Sequence, residues 1–242
     1  MVVTRPAGQA AGLTEALRGA GMQPISLPLL DLAALPPPVT DTLHRQATEA
    51  HQVIAISPSA VTFGRDWWPQ PWPPTCAVAA VGAGTGRAWR DAGAAHVIEP
   101  EGSGDSEALL AHAALQDVAG QRIVILRGEG GRDLLGPTLR ARGAAVVEWL
   151  CYTRRPPAHL REHLTALLDA PPDAWVLTSS EALANLEAAW PEGAERTAPV
   201  FAAHPRIVEA ARQAGWMTII SDGGDAGLMQ ALRTWFDAND HE

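Results

Sequence analysis

The stretch VVTRPAGQAAGLTEALRGAG, residues 2–21, recurs in altered form as VILRGEGGRDLLGPTLRARG, residues 124–143. In each stretch a short apolar run is followed by a turn, and leucines four residues apart come next, as at Leu13 and Leu17. Apolar residues at this spacing predict a helix, and the glycine that closes each stretch is suited to ending one. The stretch therefore predicts one strand followed by one helix, present twice in the chain.

The same shift of 122 residues, which places residue 124 on residue 2, aligns two further blocks of the chain. It places TSSEALAN (178–185) on ISPSAVTF (56–63), and AHPRIVEAARQAG (203–215) on VGAGTGRAWRDAG (81–93). One shift that serves three separated blocks indicates an internal repeat. We interpret the chain as two structural copies of one pattern.

Each copy alternates short apolar runs with amphipathic helical stretches, and the connections between them are short. This alternation is typical of a parallel sheet with helices on both faces. We therefore predict an α/β fold made of two similar doubly wound parallel-sheet domains. In such sheets ligands bind beyond the carboxyl ends of the strands, where the Gly, Ser and Thr turns of this chain lie.

Two extended segments that end in prolines interrupt the alternation, at residues 25–38 and 146–157. A chain that crosses from one domain to another and returns would use such a pair as connector strands. We therefore predict an inserted α/β domain over residues 36–148. The other domain is then discontinuous and combines residues 1–30 with residues 155–242.

The composition excludes several classes of function. The net charge is −9 and no basic run offsets it, which argues against a nucleic-acid partner. All 18 basic residues are arginine, so lysine Schiff-base chemistry is excluded. No apolar run reaches the roughly 20 residues of a membrane span. The two cysteines are too few for a disulfide framework and do not have the spacing of metal ligands. We expect a cytoplasmic monomer that binds a small molecule and no membrane.

The stretch VGAGTG, residues 81–86, is similar to the start of a dinucleotide-binding fingerprint, and Glu99 lies near the position of a ribose-binding acid. That fingerprint needs its third glycine where Arg87 stands. We interpret the glycines as allowing backbone N–H groups to approach an anionic group of the ligand. A nucleotide-dependent oxidoreductase is kept as an alternative.

Several stretches, in the same order along the chain, resemble the uroporphyrinogen-III synthase family of tetrapyrrole biosynthesis. They are VVTRPAGQ, SPSAVTF, AVGAGTGRAWRDAG, GDSEALL, ILRGEGGRDLLGPTLRARGAAVVEWLCYTRRPP, LTSSEALANL and FAAHPRIVEAARQAGW. The resemblance implies two α/β domains joined by a two-stranded β connection, with the active cleft between them. It also implies a lyase that cyclises hydroxymethylbilane to uroporphyrinogen III, with inversion of ring D and loss of water. The resemblance further implies that no metal and no organic cofactor is needed.

Tyr152 is the only tyrosine of the chain and follows the second extended segment's apolar run. The resemblance implies a functionally important tyrosine at this position. A phenol can donate a proton to a departing hydroxyl group while it is neutral at pH 7. The structural alternative is an amphipathic residue that anchors the end of a strand. We predict that Tyr152 is catalytic.

The polycarboxylate substrate that the resemblance implies needs many hydrogen-bond donors, and the predicted strand ends supply hydroxyl groups, backbone N–H groups and basic side chains. The predicted substrate-binding residues are Arg5, Ser57, Ser59, Gly82, Thr85, Arg127, Ser179, Ser180, His204 and Arg206. Arg132, Arg154 and Arg155 lie near the same regions. Helix capping explains each serine and threonine equally well.

A second kind of function stays open at this point. A non-catalytic module of two α/β lobes that bind an anionic small molecule would show the same repeat and the same turns. Fold alone does not separate the two, because function depends on the site. Tyr152 and the paired hydroxyl-bearing turns favour the enzyme.

Overall fold

A computed structural model describes residues 1–68, 75–101, 104–131, 133–222 and 224–239. The chain divides into two compact units. The first consists of Met1–Leu32 and Arg155–Glu242, and the second of Ala33–Arg154. The first unit is thus assembled from two separate parts of the chain, whereas the second is continuous.

The described residues form ten strands, ten α-helices and two short 3₁₀ helices. The strands are β1 (Val2–Val3), β2 (Ile25–Ser26), β3 (Asp31–Ala34), β4 (Gln52–Ala55), β5 (Ala77–Ala80), β6 (Arg122–Gly128), β7 (Ala145–Arg155), β8 (Trp175–Leu177), β9 (Val200–Ala202) and β10 (Thr218–Ile220). The α-helices are α1 (Ala11–Gly19), α2 (Thr40–Thr48), α3 (Pro58–Gly64), α4 (Ala83–Asp91), α5 (Ser106–Ala111), α6 (Leu135–Ala141), α7 (Leu160–Leu168), α8 (Ser180–Ala189), α9 (Pro205–Gln213) and α10 (Gly224–Asn239). The 3₁₀ helices are Arg65–Trp67 and Ala113–Leu115. None of the described helices combines the length and the apolar character that crossing a membrane requires.

Each unit contains one five-stranded sheet. The strand order is β10-β9-β8-β1-β2 in the first unit and β3-β7-β6-β4-β5 in the second. The four strand pairs of the first sheet are parallel, and in the second β4 is parallel to β5 and β6, and β6 to β7. The predicted α/β class with two parallel-sheet domains is confirmed.

Alternating side chains of the first sheet enter two separate apolar cores. Val2 packs in a core with leucines of α7 and α8, whereas Val3 packs in a core with Leu13 and Leu17 of α1 and Leu228 of α10. Successive side chains of a strand point to opposite faces, so this division requires helices on both faces. The sheet is therefore doubly wound.

The internal repeat reappears in the pairing of the strands. β1 lies between β2 and β8, and β6, its counterpart in the repeat, lies between β7 and β4. The register is also preserved, because Val2 pairs with Trp175, while Val124 pairs with Val53. Each pair is related to the other by the shift found in the sequence. Each unit therefore combines the first part of one copy with the last part of the other.

The segments predicted as connectors are partly ordinary sheet strands. β2 pairs with β1 and most of β7 pairs with β6, because buried backbone N–H and C=O groups need hydrogen-bond partners. The chain passes between the units within β3, at Leu32–Ala33, and near the end of β7, at Arg154–Arg155. β3 and β7 are neighbours in the second sheet.

His159, which precedes α7, has a left-handed backbone conformation with φ 58° and ψ 22°. A side chain other than glycine is strained there by about 1 kcal/mol. We expect His159→Gly to raise the free energy of unfolding by about 0.5 kcal/mol, since the larger entropy of the unfolded chain offsets part of the relief. Urea unfolding measures this. His163→Gly, within α7, is the matched control and should lower stability by about 1 kcal/mol; a loss in both variants would contradict the explanation.

Candidate active site

Tyr152 lies near the end of β7 with its side chain packed inside the second unit. The residue is 1% exposed, and it pairs with Gly128, the last residue of β6. The phenol ring covers Gly128, because a Cβ atom built there would stand 2.6 Å from the ring Cζ atom. The ring also stacks on Phe63 of α3, with 5.5 Å between the ring centroids. These contacts fix the position of the hydroxyl group.

The hydroxyl group of Tyr152 contacts two polar side chains. Its Oη atom is 3.1 Å from the Oγ atom of Ser57 and accepts a hydrogen bond of 3.1 Å from the Nη2 atom of Arg154. A guanidinium group can only donate, so the phenol oxygen is the acceptor in that bond. A charged donor of this kind stabilises negative charge that develops on the oxygen. The arrangement is suited to a phenol that donates its proton.

Ser57 stands at the carboxyl end of β4 and begins α3. Its Oγ atom accepts a hydrogen bond of 3.0 Å from the backbone N–H of Ala60, which caps the helix. The same atom contacts Tyr152, so capping and site formation occur in one residue. The two interpretations that the sequence left open for Ser57 are therefore compatible.

The predicted residues near Ser57 lie in the first turns of α3 and α4. Ser59 and Thr85 are buried, so their side chains belong to the packing of the two helices. Gly82 precedes α4 in extended conformation, and a Cβ atom there would stand 2.8 Å from the Cα atom of Gly104. Gly84, in the first turn of α4, is exposed, and the first backbone N–H groups of a helix have no acceptor within it.

The glycine pattern around α4 has a structural explanation. The carboxylate of Glu99 lies against Gly86 and forms an ion pair with Arg90. A Cβ atom at position 86 would overlap this carboxylate unless the Glu99 side chain moved. Glu99 is thus the partner of Arg90, which explains its position without a bound ribose.

Arg127 forms an ion-pair network at the end of β6. It is 9% exposed and donates hydrogen bonds to Glu148 at 2.7 Å and to the carbonyl oxygen of Gly130 at 2.8 Å, with Asp133 at 3.4 Å. Burial by itself would raise the pKa of Glu148, but hydrogen bonds from Arg140 and Arg127, together with their charges, lower it below its ordinary value. Arg127 is therefore engaged inside the protein, which does not favour the predicted contact with substrate.

Arg5, the predicted counterpart of Arg127, is also engaged. It follows β1 in the first unit and pairs with the carboxylate of Asp225 in α10, with 3.2 Å between Nη1 and Oδ2. Asp225 is about half exposed, so the pair lies at the surface of the unit. Both arginines at this position of the repeat thus bind carboxylates of the protein itself.

The remaining predicted residues begin α8 and α9 in the first unit. Ser179 accepts a backbone hydrogen bond of 3.0 Å in the cap of α8, as Ser57 does in α3. The Oγ atom of Ser180 is buried and has no hydrogen-bond partner among the described residues. His204 caps α9 by accepting a hydrogen bond of 3.1 Å from the N–H of Arg206, and both side chains are exposed. Capping is thus observed at Ser179 and His204.

The comparison with known proteins places the chain in a family. The HEM4 family, described as Uroporphyrinogen-III synthase HemD, matches residues 11–226. The chain belongs to the uroporphyrinogen-III synthase family. The uroporphyrinogen-III synthase of Salmonella typhimurium is 32% identical over 252 residues, which cover 96% of this chain and 99% of that protein.

Two solved structures of uroporphyrinogen III synthases have the same fold. A variant from Thermus thermophilus aligns with a TM-score of 0.61 at 20% identity and covers 100% of both chains. The protein from Helicobacter pylori aligns with a TM-score of 0.62 at 11% identity, over 97% of this chain and 98% of that one. At such identities the likeness concerns the fold alone.

For a member of the uroporphyrinogen-III synthase family, the site combines predicted and unpredicted residues. Sequence reasoning identified Tyr152 and Ser57, which the structure brings into contact, and noted Arg154. It missed Gly128 and Phe63, which hold the phenol ring. No sequence signal identifies either residue, because their contacts with Tyr152 join parts of the chain that are distant in sequence. Arg132 lies outside the described residues.

Across the described ranges, the histidine, cysteine, aspartate and glutamate side chains form no group of three or more placed to hold a metal ion. The two cysteines are both buried, and neither forms a disulfide. Burial raises the pKa of the Cys151 thiol to about 12 and that of Cys76 to about 11. A thiolate nucleophile is therefore not available at neutral pH from either residue.

Proposed function

We propose that this chain is a uroporphyrinogen-III synthase. It cyclises hydroxymethylbilane to uroporphyrinogen III, with inversion of ring D and loss of water. Membership of the family over residues 11–226 supports the assignment. The observation that carries the mechanism is the hydroxyl group of Tyr152, held between Ser57 and Arg154 at the carboxyl end of the second sheet.

The first chemical step is the departure of the substrate's terminal hydroxyl group. Tyr152 donates its phenolic proton to that group and the C–O bond breaks. Water departs, and an electrophilic azafulvene cation remains. The negative charge on the phenol oxygen is stabilised by hydrogen bonds from Arg154 and Ser57. After cyclisation the product loses a proton to the phenolate of Tyr152, and the neutral phenol is restored.

In the second step the substituted carbon of ring D bonds to the electrophilic carbon and gives a spiro intermediate. The bond from that ring carbon to its original bridging carbon then breaks, and the bridging carbon bonds to the unsubstituted carbon of ring D, which loses its proton. The protein contributes orientation of the flexible chain and exclusion of water from the cation. We propose that the helix N-termini near Gly82, Ser179 and His204 bind substrate carboxylates. Arg206 adds a positive charge beside His204, and its side chain is exposed.

The reaction class follows from the balance of atoms. One C–O bond, one C–H bond and the C–C bond from ring D to its original bridging carbon break, two C–C bonds form, and water is released, so no oxidant or reductant is consumed. The enzyme is accordingly a cyclising lyase that needs no redox cofactor. A sensor module would not need an acid held by two hydrogen-bonding partners, and Tyr152 therefore favours the enzyme.

A coupled assay with freshly generated hydroxymethylbilane tests the proposal. The expected product is the type III isomer, at a rate proportional to the protein concentration. Heat-denatured protein is the control and should give only the type I isomer, which forms spontaneously. Only type I isomer from the native protein, or a stoichiometric nucleotide in the mass spectrum, would contradict the assignment.

A further inference from the structure

We propose that Gly128 is a positioning residue for Tyr152. Its missing side chain leaves the space through which the phenol ring reaches Ser57. The proposal rests on the proposed function, because that function gives the hydroxyl group its role.

Because of the strand order, the residue at position 128 decides whether the Tyr152 ring can reach Ser57. Tyr152 is carried by β7 and Ser57 stands at the end of β4, and β6 lies between these two strands. The phenol ring therefore has to cross the end of β6 to bring its hydroxyl group to Ser57. It does so over Gly128, where a Cβ atom would stand 2.6, 2.7 and 3.0 Å from three ring carbons. Carbon atoms in ordinary contact are about 3.5–4.0 Å apart.

An irregularity in the sheet places the glycine under the ring. The pairing of β6 with β7 runs in register up to Arg127 and Leu150, and then shifts so that Gly128 pairs with Tyr152. Cys151 is left out of the pairing. Such an extra residue redirects the side chain that follows it, which here is Tyr152.

The ring has little room to move away from a larger residue at position 128. Phe63 stacks on it with an interplanar angle of 27°, and Tyr152 is 1% exposed. Displacement would change the geometry of the two hydrogen bonds of the hydroxyl group, which are 3.1 Å long. Gly128 has no left-handed backbone conformation. Glycine is therefore required at position 128 because the Tyr152 ring occupies the space of a side chain, and not because of the backbone conformation.

The test is Gly128→Ala, measured by steady-state kinetics and by NMR with ¹³C-labelled tyrosine. Since Tyr152 is the only tyrosine, the ring gives one set of signals that report its surroundings. We expect kcat to fall about 10- to 100-fold, as a misplacement of about 1 Å can cause, with KM within about threefold. The tyrosine signals should shift. Gly12→Ala, in α1 with nothing within 4 Å of the added Cβ, is the matched control and should change neither.

Two double variants decide whether Gly128 acts through Tyr152. In a Tyr152→Phe background, Gly128→Ala should cause no further loss of kcat, because the hydroxyl group is already absent. In a Tyr152→Leu background, Gly128→Ala should shift the urea midpoint less than it does in the wild type. If the Gly128→Ala single variant does not fold, the double variant should fold. A further loss of kcat, an equal midpoint shift or an unmoved tyrosine signal would overturn the proposal. The tyrosine signals test the geometry even if the wild type forms no type III isomer, so failure of the proposed function is recognised separately.

Discussion

Replacement of Tyr152 by phenylalanine is expected to lower kcat about 100-fold while the product remains the type III isomer. Proton donation by a positioned side chain typically contributes about 10²- to 10⁴-fold, and the variant loses only this contribution. Phenylalanine keeps the ring that packs between Gly128 and Phe63, so the fold and the binding surfaces are preserved. Orientation of the substrate and exclusion of water then account for the remaining activity.

The measurement is the initial rate of type III formation, with KM determined in the same experiment. Thr62→Val is a suitable control, because it removes an exposed hydroxyl group of α3 that contacts only the backbone oxygen of Pro58 in the described structure. Its kcat should stay within about twofold of the wild type, as expected for a surface substitution. Wild-type kcat in Tyr152→Phe would remove the phenol from the mechanism.

Replacement of Arg127 by methionine is expected to lower the free energy of unfolding by about 2 kcal/mol at pH 7. The change leaves Glu148 with Arg140 as its partner and removes the hydrogen bond to the carbonyl oxygen of Gly130. Loss of one partner of a buried ion pair costs about 3–5 kcal/mol, and we expect less here because Glu148 is partly exposed and keeps one arginine.

The effect of Arg127→Met should depend on pH in a defined direction. Hydrogen bonds and charges from Arg140 and Arg127 overcome the opposing effect of burial and hold the pKa of Glu148 below its ordinary value of 4.5. The stability that this carboxylate contributes is therefore present above pH 4.5 and lost as the pH falls through its folded-state pKa. The difference between wild type and variant should shrink in the same range.

Urea unfolding at a series of pH values checks both expectations. Arg122→Met is the matched control, because Arg122 lies on the same strand with its side chain 53% exposed and its partner Glu49 at 3.7 Å. Exposed pairs of this kind contribute less than about 1 kcal/mol. Equal losses in the two arginine variants, or a loss at Arg127 that does not change with pH, would show that the network does not stabilise the fold in this way.

The architecture was predictable because the sequence repeat relates paired residues of one sheet to paired residues of the other. The shift that relates Val2 to Val124 also relates their strand neighbours, so one alignment predicts two similar domains. The extended character of residues 25–38 and 146–157 was predictable from their prolines and apolar runs. Their membership of the sheets was not, because strand pairing depends on chain segments far away in sequence.

The candidate site was predictable only in part, because most of its contacts join residues that are distant in sequence. Tyr152 and Ser57 are visible as residue types at strand ends. The partners of the two arginines are not, since Glu148 is 21 residues from Arg127, and Asp225 is 220 residues from Arg5. The importance of Gly128 depends on a one-residue shift in strand pairing, which leaves no trace in the spacing of apolar residues.

The exchange of parts between the two copies has a consequence for the order of events during synthesis. The second unit is complete once Arg154 has left the ribosome, whereas β1 of the first unit must wait for β8. At usual rates of about 5–20 residues per second, β1 waits roughly 10 to 30 seconds for that strand. Val2 and Val3, both fully buried in the finished protein, remain without their β8 partners for that time. A ribosome-bound chain should therefore contain a folded second unit and a β1 that still lacks its β8 partner, and chaperones that bind apolar segments have this interval in which to act.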